Sequence, residues 1–336
     1  MNRHPALERT FRWLLRIPAW LVLAQPAFAS QSPLLAHSEE ASRTATLAWV
    51  LFSGGLLVFI AVGVLLVVAV RGARGRPAWM TTRGLLVGGG IAFPAIVLGL
   101  LLVYTEVVTP RFGGELTVAP LRVSVTGQMW WWRVRYHGAN GEPILVTANE
   151  LHVPIGRPVE IVLDSTDVIH SFWVPGLSGM QDMIPGRLNR LRFVADTAGT
   201  LRGQCTEYCG LQHAKMSLDV RVHAPEEFDR WLAAQLAPGR AADTAALVRG
   251  QSLFVDQCGA CHAVRGSAAA GTTGPDLTHV GSRMSLAAGA LPNNVGTMAA
   301  WIVSNQHLKP GNRMPEFDRL SGADLTALAN YVVSLQ

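Results

Sequence analysis

Chemistry in this chain concentrates in two short stretches that hold its four cysteines. In the segment CTEYCGLQHAKM, Cys205 and Cys209 stand four apart, His213 follows four residues later and Met216 three after that. His170 lies 35 residues before Cys205, inside STDVIHSFW. Two thiolates, two imidazoles and a thioether form a soft donor set, which selects copper over hard cations. Zinc could use the cysteines and histidines but has no role for the methionine, and zinc fingers keep their ligands in a compact local module. A mononuclear blue-copper site needs one cysteine. Two thiolates can bridge two coppers and spread one electron over both. The competing reading is an exported disulfide with a histidine nearby.

The second stretch, Cys258-Gly-Ala-Cys261-His262, reads as covalent attachment of haem c with His262 as the proximal axial ligand. A thioredoxin-like pair would need a βαβ unit, and the flanking pattern is helical. Five downstream residues could supply the distal ligand: Met284, Met298, His279, His307 and Met314. Met314 is favoured, because it stands 52 residues after His262 in the proline-containing loop KPGNRMPEF, free of helical constraint. Met298 lies on an apolar helical run and is expected in a core.

The elements that position these residues follow from composition. Charged residues make up 15% of the chain and hydrophobic ones 49%, against roughly 25% charged in soluble domains, so a strongly apolar region must exist. It is the N-terminal third. Residues 1–29 carry Arg3, Arg9, Arg12 and Arg16, then the apolar run Ile17 to Phe28 and a small residue, Ala29. This predicts a signal peptide cleaved after Ala29. Thr44 to Val70 is uncharged over 27 residues, roughly 40 Å of helix, enough to cross a bilayer. A second uncharged run, Gly84 to Thr105, predicts transmembrane helix 2, kinked at Pro94. The loop at 71–83 holds Arg71, Arg74, Arg76 and Arg83 without an acid, which places it in the cytoplasm and everything after Glu106 outside. The expected location is therefore a bacterial plasma (inner) membrane, with the large C-terminal part periplasmic. A net charge of only +5, without a basic run, argues against nucleic acid as a partner.

Beyond the membrane, residues 113–225 show short β-type runs such as WWWRVRY, PILVTA and VEIVLDS, separated by turn signals, as in a β-sandwich or Greek-key barrel. A short helix opened by Pro225 and a linker fill 226–245. Residues 246–336 lose the strand pattern and predict helices at 244–255, 295–305 and 322–335, the last with Ser321 as N-cap and Asp324 completing a weak capping box.

His170 with Cys205-x-Glu207-x-Cys209-x3-His213-x2-Met216 resembles the binuclear CuA centre of cytochrome c oxidase subunit II, over about residues 44–236. GQMWWW at 127–132 and DMIPGRLN at 182–189 resemble two further stretches of that family. Residues 246–336 resemble a class I cytochrome c, so the whole is similar to the caa3-type branch, in which a cytochrome c domain is fused to subunit II. The resemblance implies two transmembrane helices followed by a cupredoxin-like domain and an all-α class I cytochrome c domain. It implies that Glu207 offers a backbone carbonyl to copper and its side chain to Mg2+ at the interface with subunit I. It also implies that Trp130 is the point of electron input and relay and that Asp167 belongs to a cytochrome c docking surface. The family function is cytochrome c oxidase electron input, from cytochrome c or a membrane-bound reductant through haem c and CuA to the oxygen-reducing subunit I, with subunit III as a further partner, in a proton-translocating complex. Other readings are a CuA-type nitric oxide reductase subunit and a membrane-tethered electron-transfer protein. One departure stands out: many family members carry a glutamate near the start of transmembrane helix 2, and between Arg71 and Tyr104 this chain has no carboxylate.

Overall fold

A computed structural model describes residues 31–71, 83–108 and 119–336. The expected signal peptide and nearly all of the arginine-rich loop lie outside the described residues, as does the start of the β domain at 113–118. Helix α1 (Glu39–Arg71) is capped by Ser38, whose hydroxyl accepts from Ala41 N–H at 3.0 Å. The second apolar helix is built from α2 (Arg83–Val87), a π-helical segment (Gly88–Ala92) and α3 (Phe93–Val108). The wider π turn falls immediately before Pro94, where the chain has no N–H to donate, so the predicted irregularity takes the form of a π-bulge. Both helices are long and apolar enough to cross a membrane, and their apolar windows are not buried by the rest of the chain.

Among the described residues, ten strands form two five-stranded mixed sheets that curl over one core, the expected cupredoxin-like sandwich. One sheet has the order β3-β2-β1-β5-β8, with β1 (Leu121–Gln128), β2 (Trp131–His137), β3 (Pro143–Ala148), β5 (Pro158–Ser165) and β8 (Asn189–Val194). The other runs β4-β10-β9-β6-β7, with β4 (Glu150–Pro154), β6 (His170–Trp173), β7 (Gln181–Met183), β9 (Gly199–Cys205) and β10 (Ser217–His223). The pairs β1–β5 and β4–β10 are parallel and the others antiparallel. Period-2 patterning decides the faces: on β2, Trp132, Val134 and Tyr136 point into the core, while Trp131, Arg133 and Arg135 point away from it. The sandwich sits on the N-terminal end of α1, where His37 N–H donates to Gly176 O at 2.8 Å and the Ser38 hydroxyl to Leu177 O at 2.6 Å.

Helix α4 (Pro225–Leu236) starts at the expected proline, with Glu226 and Glu227 in its first turn. It closes the bottom of the sandwich through Phe228 and Trp231. Trp231 stacks on the buried His152 at 4.1 Å between centroids, and His152 Nδ1 shares a proton with His223 Nε2 at 2.8 Å.

The C-terminal domain holds α5 (Ala245–Gln257), α6 (Val295–Leu308) and α7 (Gly322–Ser334). Their N-caps are Thr244, Asn294 and Ser321, the last bonded to Asp324 N–H at 3.1 Å. The Asp324 side chain turns to the Ser321 hydroxyl and to Arg249, so the expected reciprocal box is replaced by a cross-helix ion pair. Helices α5 and α7 cross where a Cβ on Gly250 would stand 2.2 Å from Ala327 O, so only glycine permits that approach. A two-residue ladder, Ser285–Leu286 with Leu291–Pro292, and an isolated antiparallel bridge between Ala263 and Ala270 are departures from an all-helical domain.

Burial pushes the His223 imidazole down from 6.5 to about 4, with the neighbouring His152 and Arg221 adding to the shift. A histidine held neutral in the folded state binds its proton more readily when unfolded, so stability is complete above pH 6.5 and is lost as the pH falls toward 4. The full shift corresponds to about 3 kcal/mol, which solvent screening reduces to a loss on the order of 2 kcal/mol. The thermal midpoint of the detergent-solubilised chain, followed by its β-sheet circular dichroism, should fall across this window. His223→Gln should flatten the slope, and a midpoint that stays constant in the unaltered chain would contradict the assignment.

Candidate copper and haem sites

The soft ligands expected from sequence converge at one end of the sandwich. His170 opens β6, Cys205 closes β9, and the loop before β10 brings Cys209, His213 and Met216 back to them. Cys205 Sγ lies 3.7 Å from Cys209 Sγ and 3.8 Å from His170 Nδ1. Cys209 Sγ is 3.6 Å from His213 Nδ1 and 3.9 Å from Met216 Sδ. The Glu207 carbonyl is 3.2 Å from Cys205 Sγ. Among the described residues, His170, Cys205 and Cys209 bring their ligand atoms close enough together to hold a metal ion, and all three are buried. The two sulfurs bond each other without a disulfide, so both thiols face a common point. Hydrogen bonding from Cys209 pushes Cys205 down to about 4, with His170 helping against the cost of burial. The charge so formed holds the second proton on Cys209. A cation is the natural replacement for that proton. The Glu207 carboxylate is exposed, and no three-ligand cluster forms around it among the described residues.

His170 is aimed from behind. Its Nε2 bonds Asp167 Oδ1 at 2.9 Å, and the other carboxylate oxygen accepts from Met129 N–H at 2.8 Å. Asp167 is only 9% exposed at its side chain and faces His170, whereas the resemblance implies a place on a docking surface. Behind the ring, a Cβ on Gly127 would approach His170 Cδ2 to 2.8 Å, so the flat glycine seats the imidazole.

A cavity of about 530 Å³ lies between the helical domain and the outer face of β2, lined by Cys258, Cys261, His262 and Met314 on one side and by Trp131 and Arg133 on the other. His262 Nδ1 bonds Pro275 O at 2.7 Å, which fixes the ring and leaves Nε2 free to ligate. Burial lowers its pKa and keeps it neutral, as a ligand must be. The Met314 loop is braced by Asn305, Gln306 and Asn312: Met314 N–H donates to Asn312 Oδ1 at 2.9 Å and Met314 O accepts from Gln306 at 3.0 Å. Of the other candidates, Met298 is buried in the core as expected, His307 is 85% exposed, and His279 is bonded to Ala237 O. The Met284 N–H caps Glu150. The donors, the cavity and the bonded imidazole all fit a covalent haem.

Trp130 stands between the two sites. Its indole N–H donates to Cys209 O at 2.9 Å, and on its far side a Cβ on Gly311, in the Met314 loop, would meet the ring at 3.4 Å. Of its neighbours, Trp132 is core, edge-on to Phe172, and Trp131 lines the cavity. A linker does not by itself fix where the helical domain sits. The structure instead docks that domain on the sandwich. Gln212 donates to Pro310 O at 2.9 Å and Lys215 to Leu308 O at 2.7 Å. Lys309, 3% exposed, places its ammonium on Trp130 O and Lys215 O at 2.7 Å each and on Ala287 O at 2.9 Å. Neither Lys309 nor the cross-domain contacts carried a signal in the sequence, because a single lysine in a polar loop reads as solvated.

Comparison with known proteins agrees with this geometry. The family described as "Cytochrome C oxidase subunit II, periplasmic domain" matches residues 137–223, and "Cytochrome c" matches 247–336. The chain is 34% identical over 249 residues to cytochrome c oxidase subunit 2 of Alkalihalophilus pseudofirmus, covering 72% of this chain and 71% of that one. It belongs to the cytochrome c oxidase subunit II family. The Bacillus subtilis subunit 2 is 29% identical, covering 73% of this chain and 70% of its own. The crystal structure of the periplasmic domain of cytochrome oxidase subunit II from Bradyrhizobium japonicum is 32% identical, covering 36% of this chain and 96% of that one at a TM-score of 0.33. As a subunit II fused to a cytochrome c domain, the chain is part of an oxidase complex without being its catalytic core.

Partners that orient a metal-bound histidine are worth about 10–100-fold in affinity. Asp167→Asn should therefore weaken copper binding by about that factor while the far-UV spectrum stays unchanged. A competition titration with a copper chelator measures this, and an unaltered affinity would remove Asp167 from the site.

Proposed function

We propose that this subunit II receives electrons at a haem c in its helical domain and passes them through Trp130 to a binuclear CuA centre in the sandwich, and from there to the oxygen-reducing subunit I. The observation that carries the reading is Trp130, which touches a cysteine carbonyl on one side and the Met314 loop on the other. When bound, the two coppers and the haem iron supply one-electron chemistry. Cys258 and Cys261 hold the haem by thioether bonds, and His262 and Met314 ligate it. A thioether ligand favours reduced iron and a relatively high potential. Cys205, Cys209, His170, His213, Met216 and the Glu207 carbonyl hold copper, and the Glu207 carboxylate is the residue available for Mg2+ at the subunit I boundary.

The chain's own residues do three things. The buried sandwich keeps the ligand cluster in nearly one geometry, which limits reorganisation on each electron. Trp130 shortens the gap by an N–H···O bond and an aromatic surface. The docked loop fixes the distance, so transfer is intramolecular. The arginine-rich loop supports a cytoplasmic position for 71–83 and an extracytoplasmic position for both cofactor domains. Subunit III and an external cytochrome c or membrane-bound reductant complete the expected assembly.

The test is metal analysis with optical and EPR spectra of the complex purified in mild detergent. Two coppers sharing one electron are expected per chain, together with one covalent haem. Cys205→Ser should abolish the mixed-valence signal, Met216→Leu should keep copper with an altered spectrum, and Met314→Ala should leave the haem attached but open its sixth position to carbon monoxide. Trp130→Phe should slow haem-to-copper transfer at least about tenfold, about 1.4 kcal/mol of barrier, in flash-induced kinetics independent of protein concentration. One copper per chain, or an unchanged rate in Trp130→Phe, would overturn the corresponding part.

A further inference from the structure

The haem cavity is lined by five cationic side chains, Arg133, Arg135, Arg283, Lys309 and Arg313, and by no aspartate or glutamate among the described residues. Burying cations without counter-charge is costly, and each must be compensated. Lys309 has its three carbonyls, and Arg313, 71% exposed at its side chain, is solvated and stands 3.8 Å from Asp167. Arg283 has the Glu150 and Asp276 carboxylates as opposing charges and is bonded to Asp276 O, while its Nε is buried without a partner.

The remaining two cations come from the other domain. Period-2 alternation on β2 turns Arg133 and Arg135 outward from the sandwich core, side by side, onto the face that the helical domain covers. Arg133 reaches across the seam, donating to Thr272 O at 2.7 Å, and its guanidinium lies 5.0 Å from the Trp131 ring centre. Its Nε is buried and unpartnered. Arg135 Nη1 has the neutral Thr126 hydroxyl at 3.2 Å. Desolvation, with the like charge of Arg135 beside it, lowers the Arg133 pKa. A pocket wall with this balance is built for an anion.

The geometry points to Arg133 and Arg135 of the β domain as counter-charges for the two carboxylates of the haem, so that the haem pocket is a site shared by both domains. This rests on the haem reading above. Each guanidinium presents a planar fork matched to a carboxylate. A cation here also disfavours the more positive, oxidised iron, so the β domain raises the potential of the haem that donates to it.

The experiment uses the full chain in detergent with both cofactors loaded, and reads the haem midpoint potential by spectroelectrochemical titration. Arg133→Gln with Arg135→Gln should lower the reduced-to-oxidised ratio at fixed potential about tenfold, which is about 59 mV for one electron. Arg133→Lys with Arg135→Lys should retain most of the potential. Arg190→Gln, on the same sheet but paired with Glu160 away from the cavity, should leave it unchanged. An unshifted potential in the double glutamine variant, with haem still covalently attached on a haem-stained denaturing gel, overturns the shared pocket and leaves the haem reading intact. An equal fall in the lysine variant overturns the counter-charge role. Absence of covalent haem from the unaltered chain overturns both readings.

Discussion

A buried ammonium holds this molecule's working parts in register. Lys309 leaves water for three carbonyls, two from the sandwich and one from its own domain. Burial pushes its pKa down to about 7, so the contact is bought at a real desolvation cost. Buried charges of this kind contribute more to defining a single arrangement than to net stability. The three acceptors meet at one point only when the Met314 loop lies on Trp130, so a helical domain shifted along the seam would strand a cation. Apolar contact between Gly311 and the indole could slide; the carbonyl cage cannot.

The two cofactor sites use opposite strategies behind that seam. The sandwich brings ligands from β6, from the end of β9 and from the loop before β10, and a mixed sheet fixes these by long-range pairing. The helical domain places two cysteines and a histidine within five residues, and carries the candidate far ligand Met314 on a loop braced by the amide side chains of Asn305, Gln306 and Asn312. In both, a second bond sets the histidine: Asp167 behind His170 and the Pro275 carbonyl behind His262. Such bonds fix tautomer and direction before any metal arrives.

Much of this was legible in the sequence because the chemistry is local. The CxxCH run and the spacing Cys205, Cys209, His213, Met216 carry their meaning in a dozen residues each, and uncharged runs announce the two apolar helices by length. The β-type run WWWRVRY marked the strand that the fold makes β2. What sequence could not show was anything depending on two domains meeting. Arg133 and Arg135 read as the solvated face of an amphipathic strand, and Lys309 as a loop lysine. Asp167 carried a surface role through resemblance, whereas the fold turns it inward onto His170. The π-bulge before Pro94 was visible only as a kink, since a proline fixes where a helix loses a bond but not how the backbone absorbs it.

Docking changes what the fusion accomplishes. A flexible tether raises effective concentration, and the electron then waits for encounter. In this chain Trp130 is 8% exposed and its outer face is occupied by the chain's own loop, so the proposed relay does not wait for an encounter. Under the proposed function, an external protein can reach the copper domain at this point only by displacing the helical domain and breaking the Lys309 cage. The fused cytochrome domain is then both donor and barrier: it provides one short path and shields the same port from other carriers. Selectivity among donors moves outward to whatever surface meets the haem domain, leaving the copper site to be shaped by its ligands and by the catalytic subunit alone.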